Sequence, residues 1–447
     1  MLDIILIILF CVLGVFVGVV TGLLPGLHVN NIALILLSLS GIIVEACSPL
    51  SHYGISEQFI FLLICGFITA TSISHTFHDA IPTTFLGAPE EDTALSVLPA
   101  HNLLLQGRGY EAVALSAFGS YGAIVVSFLL IYPIRFLVGD PLFLYSTFQQ
   151  IMAWILIAIS IIMIMTEKGK INDLGRSGKI PFVLGIFFAI FVFFISGIFG
   201  LIIFNFSLDS PIGLPAPVLF PALAGLFGIP TLVTSLAEKP VIPKQKIEKF
   251  QLDEKSKKAT LLSVITGTLA GILVSIIPGI TSATGTILAM NARGESSNEQ
   301  TIITLSSVNT ASAFSVIVVL FIILRPRSGA ALAINELIPV DEWTSLMIPT
   351  NLIYLLMILL LGGSISYFLT LKTGKIFARF FVKIPYTLLI SLTIALVTIL
   401  VFIFTGIIGI LILIVATFIG LLPLSWGVRR SHCMGVLLIP IILHFLQ

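Results

Sequence analysis

The sequence has little charge. Asp, Glu, Lys and Arg make up 10 % of its 447 residues, while 57 % are hydrophobic. A soluble globular chain carries about 25 % charged residues. The mean hydropathy is +1.16, so several water-facing domains are excluded and an integral membrane protein is expected. A net charge of +1 provides no basic field for nucleic acid. Cysteine is also scarce. Cys11, Cys47, Cys65 and Cys433 are scattered through apolar stretches with no CxxC or other metal spacing, and read as small buried side chains. There is no G-x-S-x-G, no H-E-x-x-H and no Walker A sequence. The expectation is therefore a protein that is no enzyme, without catalytic residues, metal or cofactor. Uphill transport, without an ATPase domain, would have to draw on an ion gradient (Na+ or H+) or on a partner. No basic cluster precedes the apolar N-terminus and no A-x-A pattern follows it, so it reads as a first span and not as a removable signal.

What the sequence has in abundance is apolar runs. A helix needs about 20 apolar residues to cross the hydrocarbon core. Spans are expected at 2–20, 112–138, 152–165, 181–204, 259–277, 302–324, 346–370, 385–404 and 406–422. Shorter or interrupted stretches at 31–44, 59–70, 82–105, 214–236, 279–290, 330–337 and 434–445 read as half-helices, re-entrant hairpins or tilted spans. The fold class is thus an all-α polytopic membrane protein with about 10–14 embedded segments, multi-pass in the cell membrane. Fifteen of the 22 Lys and Arg lie in three loops, 167–179, 238–258 and 372–383, which are expected to face the cytoplasm. The loop 238–258, with Pro240 and Pro243, reads as a linker between a first half, 1–237, and a second, 259–447.

The halves resemble each other. Val20-Thr-Gly-Leu-Leu-Pro-Gly-Leu-His-Val-Asn-Asn-Ile-Ala-Leu34 follows the first apolar helix, and Ser275-Ile-Ile-Pro-Gly-Ile-Thr-Ser-Ala-Thr-Gly-Thr-Ile-Leu288 the first helix after the linker, 253 positions on. A second pair, 237 positions apart, keeps the order: Phe85-Leu-Gly-Ala-Pro-Glu-Glu-Asp-Thr-Ala-Leu95 and Ile322-Ile-Leu-Arg-Pro-Arg-Ser-Gly-Ala-Ala-Leu332. Upstream of each lies a polar stretch, Thr71–Phe77 and Val308–Phe314. Interrupted apolar segments at matching positions of two halves point to a transporter's binding site, with inverted repeats as the expected relation. Pro and Gly break the helix, and the half-helix that follows presents free N–H groups and a positive dipole end suited to an anion.

These residues also carry a family resemblance. The chain resembles the large permease subunit, TctA, of the tripartite tricarboxylate transporters. Gly22-Leu-Leu-Pro-Gly26 and Ile276-Ile-Pro-Gly279 are similar to that family's two Pro-Gly segments. The stretch from Leu98 to Val113, the segment Ser210-Pro-Ile-Gly-Leu-Pro with Phe220–Ile229, and Ser307–Ser312 follow in the family's order. The resemblance implies ion-driven carboxylate import, fed by an extracytoplasmic solute-binding protein and assisted by a small membrane subunit. Two departures stand out. Charged turns, Gly87-Ala-Pro-Glu-Glu-Asp92 and Leu324-Arg-Pro-Arg-Ser-Gly329, replace uncharged ones, and His28, Asn30 and Asn31 have no family equivalent. Tricarboxylate is therefore not carried over as the substrate.

The expected function is a permease for a small organic anion, a carboxylate, driven by an ion gradient. The alternative is a translocase of a lipid-phosphate carrier. The anion is expected at the half-helix starts after Pro25-Gly26 and Pro278-Gly279, with hydrogen bonds from His28, Asn30, Asn31, Ser282, Thr284 and Asn309 and charge from Arg325 or Arg327. His75 and Asp79, at i, i+4 spacing, and the acids Glu90, Glu91 and Asp92 are the candidate ion-coupling residues. The acids are expected to pair with Arg325 or Arg327 across the cavity, or else to form a solvated hairpin tip. Arg429-Arg-Ser-His432 reads as a membrane-surface loop.

Overall fold

The computed structural model describes residues 2–24, 29–87, 93, 97–165, 167, 179–208, 210–212, 218–238, 243–247, 254–277, 282–293, 297–381 and 386–447. Among these no strand occurs. The first half contributes α1 (Leu2–Leu23), α2 (Val29–Ala46), α3 (Glu57–His78), α4 (Ala80–Phe85), α5 (Val97–Leu105), α6 (Gly109–Leu129), α7 (Ile131–Val138), α8 (Leu144–Met165), α9 (Lys179–Ile203), α10 (Leu219–Leu223) and α11 (Ile229–Glu238). The second contributes α12 (Glu254–Ile276), α13 (Ser282–Arg293), α14 (Asn298–Ile323), α15 (Gly329–Leu337), α16 (Thr350–Phe381), α17 (Tyr386–Trp426) and α18 (Gly435–Leu446). Nine helices among the described residues are long and apolar enough to cross a membrane. Their exposed faces carry side chains such as Ile4, Phe187, Ile407 and Phe418, as lipid contact requires. The protein is a multi-pass membrane protein.

Three spans differ from the hydropathy reading. The stretch 59–70, expected to be too short to span, belongs to α3, which with α4 forms a 29-residue span from Glu57 to Phe85. Its Ser, Thr and His residues lower the hydropathy, yet they are buried against protein, where they find partners. The expected span 112–138 breaks at Leu130 into α6 and α7. The expected spans 385–404 and 406–422 run on as α17, 41 residues with a break at Gly406, whose φ of 64° suits glycine. At about 1.5 Å per residue that length is twice the hydrocarbon core, so the break divides two membrane segments.

The helices pack in two groups, and each half of the chain supplies both. The core group comprises α1–α7 and α12–α16, and the flanking group α8–α11, α17 and α18. In the core group α1 packs along α3 and α12 along α14. Glycine sets both approaches. A Cβ on Gly14 would lie 2.5 Å from Phe67 O and one on Gly18 2.6 Å from Thr71 O. A Cβ on Gly267 would lie 2.6 Å from Thr304 O and one on Gly271 2.4 Å from Val308 O. The glycines are 253 positions apart and the carbonyls they meet 237 apart, the same two offsets that relate the sequence motifs.

The helices α3 and α14 are buried nearly all round and run in opposite directions. The start of α3, at Ile60, Leu63 and Ile64, packs with Ala330 and Ala333 beyond the end of α14. The end of α3 meets the middle of α14. At the α14 start, Arg108 pairs with Glu299 at 2.9 Å and with Glu111 at 2.6 Å. These carboxylates raise the guanidinium pKa further, against a smaller desolvation effect. Gln245, from the linker, accepts from Gly109 N at 2.8 Å at this same end. Phe377 and Ala378 of α16 pack there with Phe85 and Ile247, so the flanks of the loops 238–258 and 372–383 share one end of the molecule.

Candidate ion and substrate site

The crossing of α3 and α14 is a polar centre inside an apolar protein. Asn309 Nδ2 donates to Asp79 Oδ2 at 2.8 Å, and the hydroxyls of Thr76 and Thr310 lie 3.0 Å apart. All four residues are buried. The polar stretches of the two halves therefore meet face to face. A lone acid at membrane depth costs about 2.5–3.5 kcal/mol, which explains why Asp79 takes a donor from the other half of the chain.

The neighbouring histidines have different surroundings. His78 Nδ1 lies 2.8 Å from Ser74 O and must donate to it, and Nε2 lies 3.2 Å from Thr370 Oγ1. Both ring nitrogens thus tie α3 together and to α16, a structural duty. The hydroxyl of Thr21 donates to Gly18 O at 3.2 Å, which leaves it to accept from His75 Nδ1 at 3.1 Å. His75 thereby joins α1 to α3 one turn before Asp79.

A cavity of about 10 Å³ opens beside Asp79, lined by Thr84, Thr93, Ser116, Ser306 and Asn309 together with apolar side chains. This is room for one water molecule or a small cation. Four hydroxyls, a carboxylate and an amide form a hard, oxygen-rich donor set of the kind that alkali or alkaline-earth cations take. Ser306 Oγ donates to Ser116 Oγ at 2.7 Å, and Thr83 lies 3.1 Å from Thr93. Sequence reasoning missed Thr84, Thr93, Ser116 and Ser306. Single hydroxyls carry no spacing signal, and helical Ser and Thr ordinarily bond their own backbone.

The sequence candidates divide three ways. Pro25, Gly26, His28, Glu90, Glu91, Asp92, Pro278 and Gly279 lie outside the described residues. Asn30 and Asn31 fall in the first turn of α2 and Thr284 in that of α13, with side chains outside the description; Ser282 opens α13 and is buried. The flanks of both Pro-Gly segments nevertheless converge on the crossing. Gly22, two residues before Leu24, packs on His78 and on Asp79 N, and Gly285 packs on Val308 beside Asn309. His75, Asp79 and Asn309 are brought together at the centre.

Arg325 and Arg327 are not. They follow the end of α14, stacked over the Tyr145 ring with guanidinium carbons 6.0 and 5.0 Å from its centroid. Sixteen residues of chain separate Asn309 from Arg325, on the order of 24 Å along a helix. Gly87 and Thr93, which flank the acids Glu90–Asp92, contact Leu232 and Thr83; the acids of the expected pairing with these arginines lie outside the described residues. The segment Arg429–His432 also differs from its reading as a surface loop. Ser431 and His432 are buried, and His432 Nε2 lies 2.7 Å from Glu167 Oε2. An apolar flank and a charged dipeptide look the same in sequence whether lipid or protein covers them.

The tripartite tricarboxylate transporter TctA family matches residues 8–435. The chain belongs to this family. As a TctA-family protein it is a transporter permease and not an enzyme. An uncharacterized protein of Methanocaldococcus jannaschii is 29 % identical over 451 residues, covering 98 % of this chain and 99 % of its own length. No solved structure matches the chain.

Proposed function

We propose that this TctA-family permease carries a small organic carboxylate across the cell membrane, driven by a cation gradient, and that Asp79 is the coupling carboxylate. The observation that carries the reading is the oxygen-lined cavity at Asp79 where the polar stretches of α3 and α14 meet. A coupling Na+ or H+ taken up there would neutralise an acid that the bilayer otherwise penalises. The anion would lie beside it, toward the starts of α2 and α13, where the positive ends of the helix dipoles favour negative charge. The family's usual partners, an extracytoplasmic solute-binding protein and a small membrane subunit, belong to this proposal, as does the inverted relation of the halves. The antiparallel course of α3 and α14 supports that relation.

The test uses the full chain in liposomes, with labelled acetate, succinate, malate and citrate and an imposed Na+ or H+ gradient. At least one anion should accumulate, and Asp79→Asn should reduce gradient-driven accumulation at least about tenfold while carboxylate exchange persists. Accumulation that survives Asp79→Asn excludes Asp79 as the coupling group. Movement of a lipid-phosphate probe, with no carboxylate uptake, would favour the translocase instead.

A further inference from the structure

The described part of the linker, residues 243–247, is bound to the corner between α5 and α6. Gln245 is buried there and uses one amide in both senses. Its Nε2 donates to Leu104 O at 3.1 Å and to Pro243 O at 2.7 Å, and its Oε1 accepts from Gly109 N at 2.8 Å. Leu104 O belongs to the last turn of α5 and Gly109 N to the first turn of α6. Helix ends leave such groups without a partner four residues away. Lys246 N donates to Gly107 O at 2.8 Å in the same corner. Gly107 has a φ of 77°, and a Cβ on it would lie 3.1 Å from Lys244 O. The corner thus needs glycine for its turn and lets the linker backbone come close. Ile247 packs against the cluster of Phe85, Leu104 and Val113.

The same helix closes the cation cavity. Ala100 of α5 lines the cavity beside Asp79. Leu103, one turn on, is buried with Ile302 and Ile303 of α14, and Leu104 is fully buried beside it. Along α14 the cavity residues Ser306 and Asn309 come after Ile302 and Ile303, while Glu299, paired with Arg108, comes before them. Glu299 and Arg108 lie at the end of the molecule that carries the basic loops. Helix α5 therefore runs from the cavity to that end, with Leu103 and Leu104 as the apolar stopper between the two. A helix of nine residues is marginal by itself, so α5 depends on its packing and on what holds its end.

We infer that Gln245 is a positioning residue for the coupling cation. It holds α5 closed over the Asp79 cavity, and its release opens the cavity to the cytoplasm. The amide suits this task because it donates to one helix end and accepts from the other while carrying no charge into the apolar corner. The linker joins α11 of the flanking group to α12 of the core group. A displacement of one group against the other is therefore transmitted to α5 through Gln245, which ties release of the cation to movement of the groups. The assignment rests on the reading of Asp79 as the coupling carboxylate.

The experiment reads access to the cavity separately from transport. Ala100→Cys is introduced into the full chain in inside-out membrane vesicles. Its reaction with a membrane-impermeant thiol reagent is timed against the chain without that substitution. With Gln245 in place the reaction should be slow, and Na+ should slow it further. Gln245→Ala should speed it about 3- to 30-fold, the change in open population expected when one or two net hydrogen bonds are lost. Gln245→Glu keeps the length and the acceptor for Gly109 N but cannot donate to Leu104 O. It should speed the reaction as well, and it guards against misfolding of the alanine variant. Lys244→Ala, at an exposed neighbour, should leave the rate unchanged. Cys65 and Cys433 are buried and should stay unlabelled in every variant, which separates local opening from unfolding. Equal rates with Gln245, Gln245→Ala and Gln245→Glu overturn the assignment, and so does faster labelling that includes Cys65 and Cys433. Faster labelling that Na+ does not slow would support the clamp and fault Na+ as the ion held at Asp79. Gradient-driven uptake that depends on Asp79, with labelling indifferent to Gln245, would keep the cation site and remove the clamp.

Discussion

At the scale of the residue, Asn309 and Asp79 are a matched pair whose members come from different halves of the chain. The amide donates to the carboxylate at 2.8 Å in a buried setting, where losing a partner costs about 1–3 kcal/mol or more for a charged group. Asn309→Ala is therefore expected to lower apparent cation affinity in uptake assays about tenfold, with a smaller change in protein abundance. An unchanged cation dependence would separate Asn309 from the ion site. His78, by contrast, spends both ring nitrogens on Ser74 O and Thr370. His78→Ala should lower the unfolding temperature and the yield of folded protein before it alters ion dependence, and a normal unfolding temperature with altered ion dependence would reverse that division of labour. His78 and Asp79 are adjacent in sequence, and nothing in their spacing separates the structural group from the functional one.

At the scale of the element, the pairs α1–α3 and α12–α14 are assembled by backbone approach. Gly18 and Gly271 each occupy a contact where an added Cβ would overlap a carbonyl, at 2.6 and 2.4 Å. Small residues let membrane helices approach closely, which yields packing and weak hydrogen bonds in place of a hydrophobic drive. Gly18→Ala and Gly271→Ala are each expected to destabilise by about 1–3 kcal/mol through overpacking, read as a lower unfolding temperature in detergent. Gly41→Ala serves as the contrast. It sits in α2 with nothing within 4 Å of the added atom, and should be neutral or stabilise by up to about 1 kcal/mol through helix propensity. Equal losses at all three positions would mean that close approach is not what these glycines supply.

At the scale of the whole molecule, charge sets orientation and packing sets the two groups. The linker and the end of α16 meet at the α14 start, whereas Trp343 N bonds Phe321 O at the far end of the same helix. The positive-inside rule assigns the first of these ends to the cytoplasm. Cysteines at the exposed positions Lys244 and Lys375 are expected to react with a membrane-impermeant thiol reagent only from the cytoplasm, and one at exposed Ser345 only from outside. Labelling of Lys244→Cys and Ser345→Cys from the same side would contradict the arrangement of α14 as a single crossing.

Much of this protein was legible in the sequence. The scarcity of charge and the length of the apolar runs determined a helical, multi-pass membrane protein, because unpaired backbone is not tolerated in lipid. The two Pro-Gly motifs, the polar stretches around His75, Asp79 and Asn309, and the family likeness were also visible along the chain. Hydropathy, however, records only how apolar a segment is and not what covers it. It therefore cut α3 short at the Ser, Thr and His residues that α1, α14 and α16 satisfy. The sequence motifs likewise offered Arg325 and Arg327 as anion ligands, although both stack on Tyr145 beyond the end of a helix. Which polar residues meet and which hydroxyls close around Asp79 depend on contacts between segments more than 200 residues apart. Only the tertiary structure decided those, because burial and pairing are properties of the neighbours a side chain acquires on folding.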